Sequence, residues 1–343
     1  MFLVIFRLKI IFTPCRTMSY LMPHYSAKES STTLRPSSTS LFLVDSEDRF
    51  SSYTQSRAVT GLSNNATPYN FQITRNESLM NGFASRIAVS EVNFPWCIPN
   101  INPKTAQITI TYEVSGQPVS LPTTFNFLTG FSKPSSIAAA LEQAVQGLNP
   151  SLAGATVTYG DASNPVFAYQ TNSTTKIAFS PLPYNSSIYP YPDSTKQLFD
   201  LLGFTNANSQ LSLGGNGGFT LCQAIRYVDI VSVNLVYNQA NPDVMSQKVA
   251  RNSLCRVYLG DANLTGNVDP ANSNFCPPGC APFTIYRNFT NPKQIQWMGN
   301  QPIPGTLQFT VFDDTGAPLN ETLVGLLEGE YLDWSLTMLV TEN

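Results

Sequence analysis

The chain has 343 residues, enough for one elaborated domain or two smaller ones around a sizeable core. Only 12% of them are charged and the net charge is −3, with Ser, Thr, Asn and Gln supplying the polarity. That balance excludes a strong overall pull on nucleic acid and suits broad, close-packed contacts, because few ions must be desolvated.

The charge is unevenly placed. Residues 1–40 carry Arg7, Lys9, Arg16, Lys28 and Arg35 against Glu29 alone, a balance of +4 that leaves −7 for the rest. Two readings of this basic arm stay open: a solvated tail, or a weak contact with an acidic partner such as a packaged genome. "MFLVIFRLKIIF" (1–12) is broken by Arg7 and Lys9, unlike the uninterrupted apolar region of a signal peptide, and it is too short to span a bilayer. "MSYLMPHYS", from Met18, is the more natural start, so 1–17 reads as an upstream extension. "SAKESSTTLRPSSTS" (26–40) has almost no apolar residue and is expected to be flexible. No other segment approaches a membrane span.

Strand patterns begin at "LFLVD" (41–45). "YNFQIT" (69–74) alternates Tyr69, Phe71 and Ile73, and "SRIAVSEVNF" (85–94) is expected to end at Pro95. Period-two alternation between turn residues predicts an all-β body.

The middle of the chain differs. "AQITITYEV" (106–114) and "VSLPTTFNF" (119–127) predict a hairpin around Ser115-Gly116-Gln117. "SKPSSIAAALEQAVQGL" is the best helix: Pro134 opens it, and Ile137, Leu141, Val145 and Leu148 share a face. Strands are expected at 155–159, 166–170 and 175–179, then a loop, "SSIYPYPDS". A short helix follows in "STKQLFDLLGF", with Asp193 or Ser194 as cap and Gly203 as stop. "LGGNGG" (213–218) is expected to be a hinge-like exit.

The β pattern then resumes. "IRYVDIVSVNLVYNQ" (225–239) predicts one long strand, with Tyr227, Val231, Val233, Leu235 and Tyr237 on a face. "CRVYLG", "KQIQWM", "TLQFTVFDD" and "DWSLTMLVTE" follow. About eight strands fit two four-stranded sheets of a jelly roll, which tolerates long excursions between strands. The nearest rival is an immunoglobulin-like sandwich, but its Cys–Trp–Cys pattern is missing. The expectation is therefore mainly β: a single jelly-roll sandwich from 41–102 and 221–343, an inserted small α+β domain at 103–220, and a flexible arm at 1–40.

One motif invites a catalytic reading. "VFDDTGAPL" (311–319) contains the Asp-Thr-Gly of an aspartic protease loop, with Asp314 as the carboxylate. In such enzymes a packed apolar residue precedes the aspartate, and two carboxylates share a proton. Here Asp313 precedes it and no second Asp-Thr/Ser-Gly occurs. A β-hairpin turn accounts for the motif, with Asp at turn positions and Gly316 where positive φ is needed.

Other chemistry has less support. The only histidine is His24, so His-based nucleophilic sites are close to excluded. "LGGNGG" lacks the Lys-Ser/Thr of a phosphate loop. The six cysteines are Cys15, Cys97, Cys222, Cys255, Cys276 and Cys280. Only "CPPGC" (276–280) is local; free thiols and one disulfide both remain open there, and a zinc site would need two more ligands. Trp96, Trp297 and Trp334 read as core residues or interface anchors. Catalytic, metal and cofactor sites are expected to be absent.

The order of the motifs carries a resemblance. "LFLVDSEDRF", "PYNFQITR" and "SRIAVSEVNFPWCIPNIN" resemble the opening of the minor capsid (penton) proteins of virophages, polinton-like viruses and some giant DNA viruses. "FNFLTGFSKPSSIAAALEQAV" and "LFDLLGF" look like the helical insertion of many of them. "YVDIVSVNLVYNQ" and "IPGTLQFTVFDDTGAPL" are similar to their late strands. The resemblance spans 41–343; the arm and "CPPGC" lie outside it. It implies a virion protein assembled in an infected cell: a jelly roll with strands roughly normal to the shell, five copies closing an icosahedral vertex. Its expected partners are its own copies and trimers of the major capsid protein, with a vertex spike or host surface beyond. Three alternatives remain. Host attachment would use the inserted unit, where "YNSSIYPYPDS" (184–194) offers Tyr184, Tyr189 and Tyr191 as a contact loop. A major capsid protein usually needs two jelly rolls per chain, and an aspartic protease would need a second carboxylate.

Overall fold

The computed structural model describes residues 38–50, 67–74, 84–118, 122–161, 163–183, 196–236, 241–242, 250–251, 253–259, 277, 279–297, 303, 305–319 and 333–342. Eight of its strands, numbered here β1 to β8, form a sandwich: β1 (Ser38–Asp45), β2 (Asn70–Thr74), β3 (Ala84–Trp96), β4 (Tyr227–Val231), β5 (Ser253–Tyr258), β6 (Phe283–Asn288), β7 (Thr306–Asp313) and β8 (Ser335–Glu342). One sheet runs β1-β8-β3-β6 and the other β5-β4-β7-β2, with antiparallel pairing throughout. The chain crosses between sheets at every step except β4 to β5. That path is a jelly roll, and the mainly β expectation holds.

The sequence pattern explains the sandwich. Along β7, Leu307, Phe309 and Val311 are buried while Gln308 is exposed. They meet Phe71 and Ile73 of β2 and Ile87, Phe94, Leu336 and Met338 of the facing sheet in one apolar cluster. Phe71 stacks on Phe309 at 5.4 Å, and Trp334 packs on both at 5.6 and 6.1 Å. Each such ring contributes on the order of 2–3 kcal/mol by leaving water. Trp96 and Trp334 are buried and Trp297 packs against the same core.

Between β3 and β4 the chain builds other sheets. Gln107–Val114 pairs with Gln117–Pro118, Thr123–Asn126 and Thr175–Ser180. Val166–Gln170 pairs with Thr156–Tyr159 and Gly214–Phe219. Helix α1 (Pro134–Leu148) buries Ile137, Leu141 and Val145, and α2 (Leu198–Leu201) follows. The hairpin tip is Ser115-Gly116, both at positive φ, as a two-residue connection requires.

Several expectations are corrected. β3 runs through Pro95 to Trp96. β8 leaves β3 at Asn93, so Pro95 has only β6 beside it and its missing N–H disturbs no ladder. β4 stops at Val231: Val236 N–H turns back to the Ser232 carbonyl at 3.2 Å, and Val233 is 54% exposed. Tyr237 lies outside the described residues. β6, "FTIYRN", was not foreseen because an aromatic, Tyr286, faces outward and a charge, Arg287, lies on the inward face; the expected "KQIQWM" is its short continuation, Gln294–Gln296, along β3. α2 is entered through Gln197, whose N–H donates to the Asp200 carboxylate at 3.0 Å; Asp193 and Ser194 lie outside the described residues.

"LGGNGG" is not a hinge. Gly214–Phe219 is a strand whose glycines let other backbone come close. A Cβ on Gly214 would sit 2.8 Å from the Tyr169 carbonyl oxygen, and one on Gly215 2.9 Å from the Tyr169 hydroxyl. Gly203, at φ +71°, ends α2 and receives the Gly218 N–H on its carbonyl at 2.6 Å.

Candidate functional site

The Asp313-Asp314-Thr315-Gly316 segment is a turn after β7, with Gly316 at φ +90°. Asp313 organises it. Its Oδ1 accepts from Thr315 N–H (2.9 Å), Thr315 Oγ1 (2.6 Å) and Ala317 N–H (2.9 Å). Its Oδ2 pairs with Lys104 Nζ at 3.3 Å.

Asp314 faces elsewhere. Its Oδ2 accepts from Lys196 Nζ at 2.6 Å, Arg226 Nε at 3.1 Å and Arg226 N–H at 3.2 Å. Its side chain has no exposure, and Oδ1 finds no hydrogen-bond partner among the described residues. Two adjacent aspartates are thus turned to separate cations. A proton-sharing protease pair needs two carboxylates facing each other, so this turn does not have that geometry. The adjoining cavity, lined by Asn102, Lys104, Lys196 and Asp313 among others, holds about 10 Å³, roughly the size of one water. It is too small for an organic substrate.

The ion pairs link distant parts of the chain. Lys104 and Lys196 belong to the stretch between β3 and β4, and Arg226 immediately precedes β4. All three converge on the turn between β7 and β8. Sequence reasoning found the turn and missed its counter-ions, since no local pattern links positions 104, 196 and 226 to 313–314.

Tyr184, Tyr189 and Tyr191 lie outside the described residues, as do Cys276, His24 and the arm at 1–37. Cys97, Cys222, Cys255 and Cys280 are buried. Burial raises the thiol of Cys222 far above its ordinary value and pushes Cys255 up to about 12, with Asp229 adding to the latter. Among the described residues no cluster of acids, cysteines or histidines is arranged to hold a metal, and no helix is long and apolar enough to cross a membrane.

A second buried pair sits on the outer face of the β4–β5 ladder. Arg256 Nε and Nη2 meet Asp229 Oδ1 and Oδ2 at 2.7 and 2.9 Å, and the guanidinium lies 3.8 Å from the Tyr227 ring centre. Bidentate pairing of this kind fixes both partners. Elsewhere, among the described residues, several large apolar side chains reach the surface: Leu41, Leu43, Leu128, Phe219 and Tyr286 are each more than half exposed.

No protein-family model matches the chain, and no curated protein matches it. Among solved structures, the chain is similar to the penton protein of mavirus, with 10% identity, a TM-score of 0.47, and coverage of 90% of this chain and 100% of that one. It is also similar to a chain in the 3.5 Å cryo-EM structure of the Sputnik virophage, with 14% identity, a TM-score of 0.40, and coverage of 89% and 98%. Both TM-scores lie below 0.5, so neither likeness carries weight for function.

Proposed function

We propose that the protein is a structural subunit of a virus shell: a penton protein whose copies close the fivefold vertices and abut the major capsid protein. The observation that carries this reading is the jelly-roll strand order, β1-β8-β3-β6 against β5-β4-β7-β2, in a chain whose ordered motifs resemble virophage minor capsid proteins. A single sandwich, rather than two, favours a vertex subunit over a major capsid protein. The low charge and exposed leucines suit contacts between copies. In this reading residues 103–220 form a domain of their own projecting from the shell, and the protein works by shape, without catalysis. Fold alone does not dictate function, so the test is direct. Electron microscopy of the purified protein and of virions is expected to reveal fivefold rings and vertex density. A protein that stays monomeric and is missing from virions would overturn the reading.

A second role, host attachment through the inserted unit, is favoured by Leu128 at 93% exposure and Phe219 at 71%. Deleting 103–220 is then expected to abolish attachment and spare assembly. Intact attachment after the deletion would exclude it.

A further inference from the structure

β1 is a bare rim of the sandwich. In the order β1-β8-β3-β6 it is outermost, and no described strand pairs with its far edge. An edge strand points alternate N–H and C=O groups away from its sheet, a template for another strand unless charge or proline blocks it. From Ser38 to Val44, β1 has neither. Its outer face carries Leu41 at 68% exposure and Leu43 at 71%, then Asp45, also exposed. Its inner face carries Phe42, half-buried against the core, and Val44, buried. Asp45 Oδ1 accepts the Glu47 N–H at 2.8 Å, which occupies one corner of an exposed carboxylate.

The beginning of the chain has a matching pattern. In "MFLVIFRLKIIF" the even positions, Phe2, Val4, Phe6, Leu8, Ile10 and Phe12, are all apolar, while the odd ones run Leu3, Ile5, Arg7, Lys9, Ile11. With period two this is a strand with one wholly apolar face and a second face that changes from apolar to basic. The outer face of β1 changes from apolar to acidic in the same direction.

We propose that residues 2–7 seat on the open edge of β1 in the same chain, parallel to it, with Phe2 beside Ser40 and Arg7 beside Asp45. On the outer face Leu3 then meets Leu41, Ile5 meets Leu43 and Arg7 meets Asp45, with Lys9 one step further toward the exposed Glu47. On the inner face Val4 extends the row of Phe42, and Phe6 that of Val44. Neighbouring parallel registers fail. A slip of two residues puts Arg7 beside Leu43 or Ile5 beside Asp45, and a slip of one exchanges the faces. The antiparallel alternative, with Lys9 beside Asp45, brings Pro14 into the ladder beside Ser40, where a proline cannot donate. A parallel pair needs a crossover of about a dozen residues or more, and the stretch 8–37 supplies 30. The same tether keeps the segment at an effective concentration on the order of millimolar, so a chain fills its own edge ahead of a neighbour's. Leu41 and Leu43 are then surface that the chain keeps for itself, and Leu128 is left for other contacts. The seat does not depend on the shell-subunit reading: it blunts an edge that invites strand-to-strand association, whatever the sandwich builds.

Cross-linking on the full chain tests it. Cys15→Ser with Cys276→Ser gives the background, the other four cysteines being buried. There, Ile5→Cys with Leu43→Cys is expected to form a disulfide within one chain, in a yield unchanged by dilution. Ile11→Cys with Leu43→Cys, which the antiparallel alternative would join, should stay reduced. Arg7→Glu is expected to lower the first yield several-fold, and Arg7→Glu with Asp45→Arg to restore it. A chain that starts at Met18 should exchange its β1 amide hydrogens about tenfold faster or more, while those of β7 keep their rates. No cross-link, with exchange unaltered by the truncation, overturns the seat. Cross-links only between chains overturn seating within one chain, and a cross-link through Ile11 overturns the register. A native protein whose first residue is Met18 overturns the proposal outright.

Discussion

Lys196 Nζ and Asp314 Oδ2 lie 2.6 Å apart, joining residues 118 positions apart in the chain. The carboxylate is fully buried while the lysine keeps 31% of its side-chain exposure and Arg226 keeps 59%. Asp314 therefore bears the cost of desolvation, and its partners recover it only while all are in place.

Asp314→Ala is accordingly expected to lower the free energy of unfolding by about 2 kcal/mol, because the Arg226 N–H loses its acceptor and two cations lose their counter-charge. Asp314→Asn, which keeps an acceptor, should cost less. Urea titration followed by fluorescence measures both. Neither substitution is expected to change any peptidase activity, since the carboxylate is held by cations and not by a second acid.

Gly203 is expected to resist substitution more than the glycines of an ordinary strand. Its φ is +71°, and a Cβ would lie 2.5 Å from the Gly218 carbonyl oxygen. Gly203→Ala should cost about 2 kcal/mol or more, combining left-handed strain with a backbone clash. Gly154→Ala meets nothing within 4 Å and serves as the neutral control. Thermal melts of the two variants should differ clearly.

Trp334 separates packing from hydrogen bonding. Its Nε1–H donates to the Pro68 carbonyl at 2.6 Å while its ring packs on Phe71 and Phe309. Trp334→Phe is expected to lose about 1–2 kcal/mol with the hydrogen bond. Trp334→Ala should lose about 3–5 kcal/mol by opening a cavity. Equal losses would mean that the ring contributes nothing beyond its N–H.

Cys255 sets an alkaline trend. Burial pushes its thiol up to about 12, well above the ordinary value of 9.0. The unfolded chain therefore releases this proton first as pH rises, so fewer protons are bound unfolded than folded and stability falls with pH. The contribution is complete below pH 9 and is lost as the pH climbs toward 12, at most about 1.4 kcal/mol per pH unit. Denaturation midpoints from pH 8 to 11 should fall more steeply in the wild type than in Cys255→Ala. At neutral pH a thiol reagent should spare Cys222 and Cys255 in the folded protein.

How much was legible in the sequence depends on the range of the forces involved. Helix α1 and the strands at 166–170 and 306–313 were readable because period and punctuation are local: Pro134 opens the helix, and Leu307, Phe309 and Val311 alternate. β6 was missed because its outward positions are mixed and its inward ones few. The glycine strand at 214–219 was mistaken for a hinge, since the reasons for its glycines lie elsewhere: Tyr169, about 45 residues earlier, crowds Gly214 and Gly215, and the Leu202 and Gly203 carbonyls crowd Gly217. At Asp314 the turn was readable from Asp and Gly chemistry. The ion pairs were not, because Lys196 and Arg226 reach it only after the whole roll has closed. The exposure of Leu41 and Leu43 was equally hidden: "LFLVD" has no alternation to say which residues face out.

The ionic knot at Asp313 and Asp314 has a mechanical consequence. β7 stands between β4 and β2, bonded on both flanks. Force applied to the stretch that carries Lys104 and Lys196 is therefore delivered to an inner plank of the wall, where two ladders share the shear, and not to a rim strand that could peel.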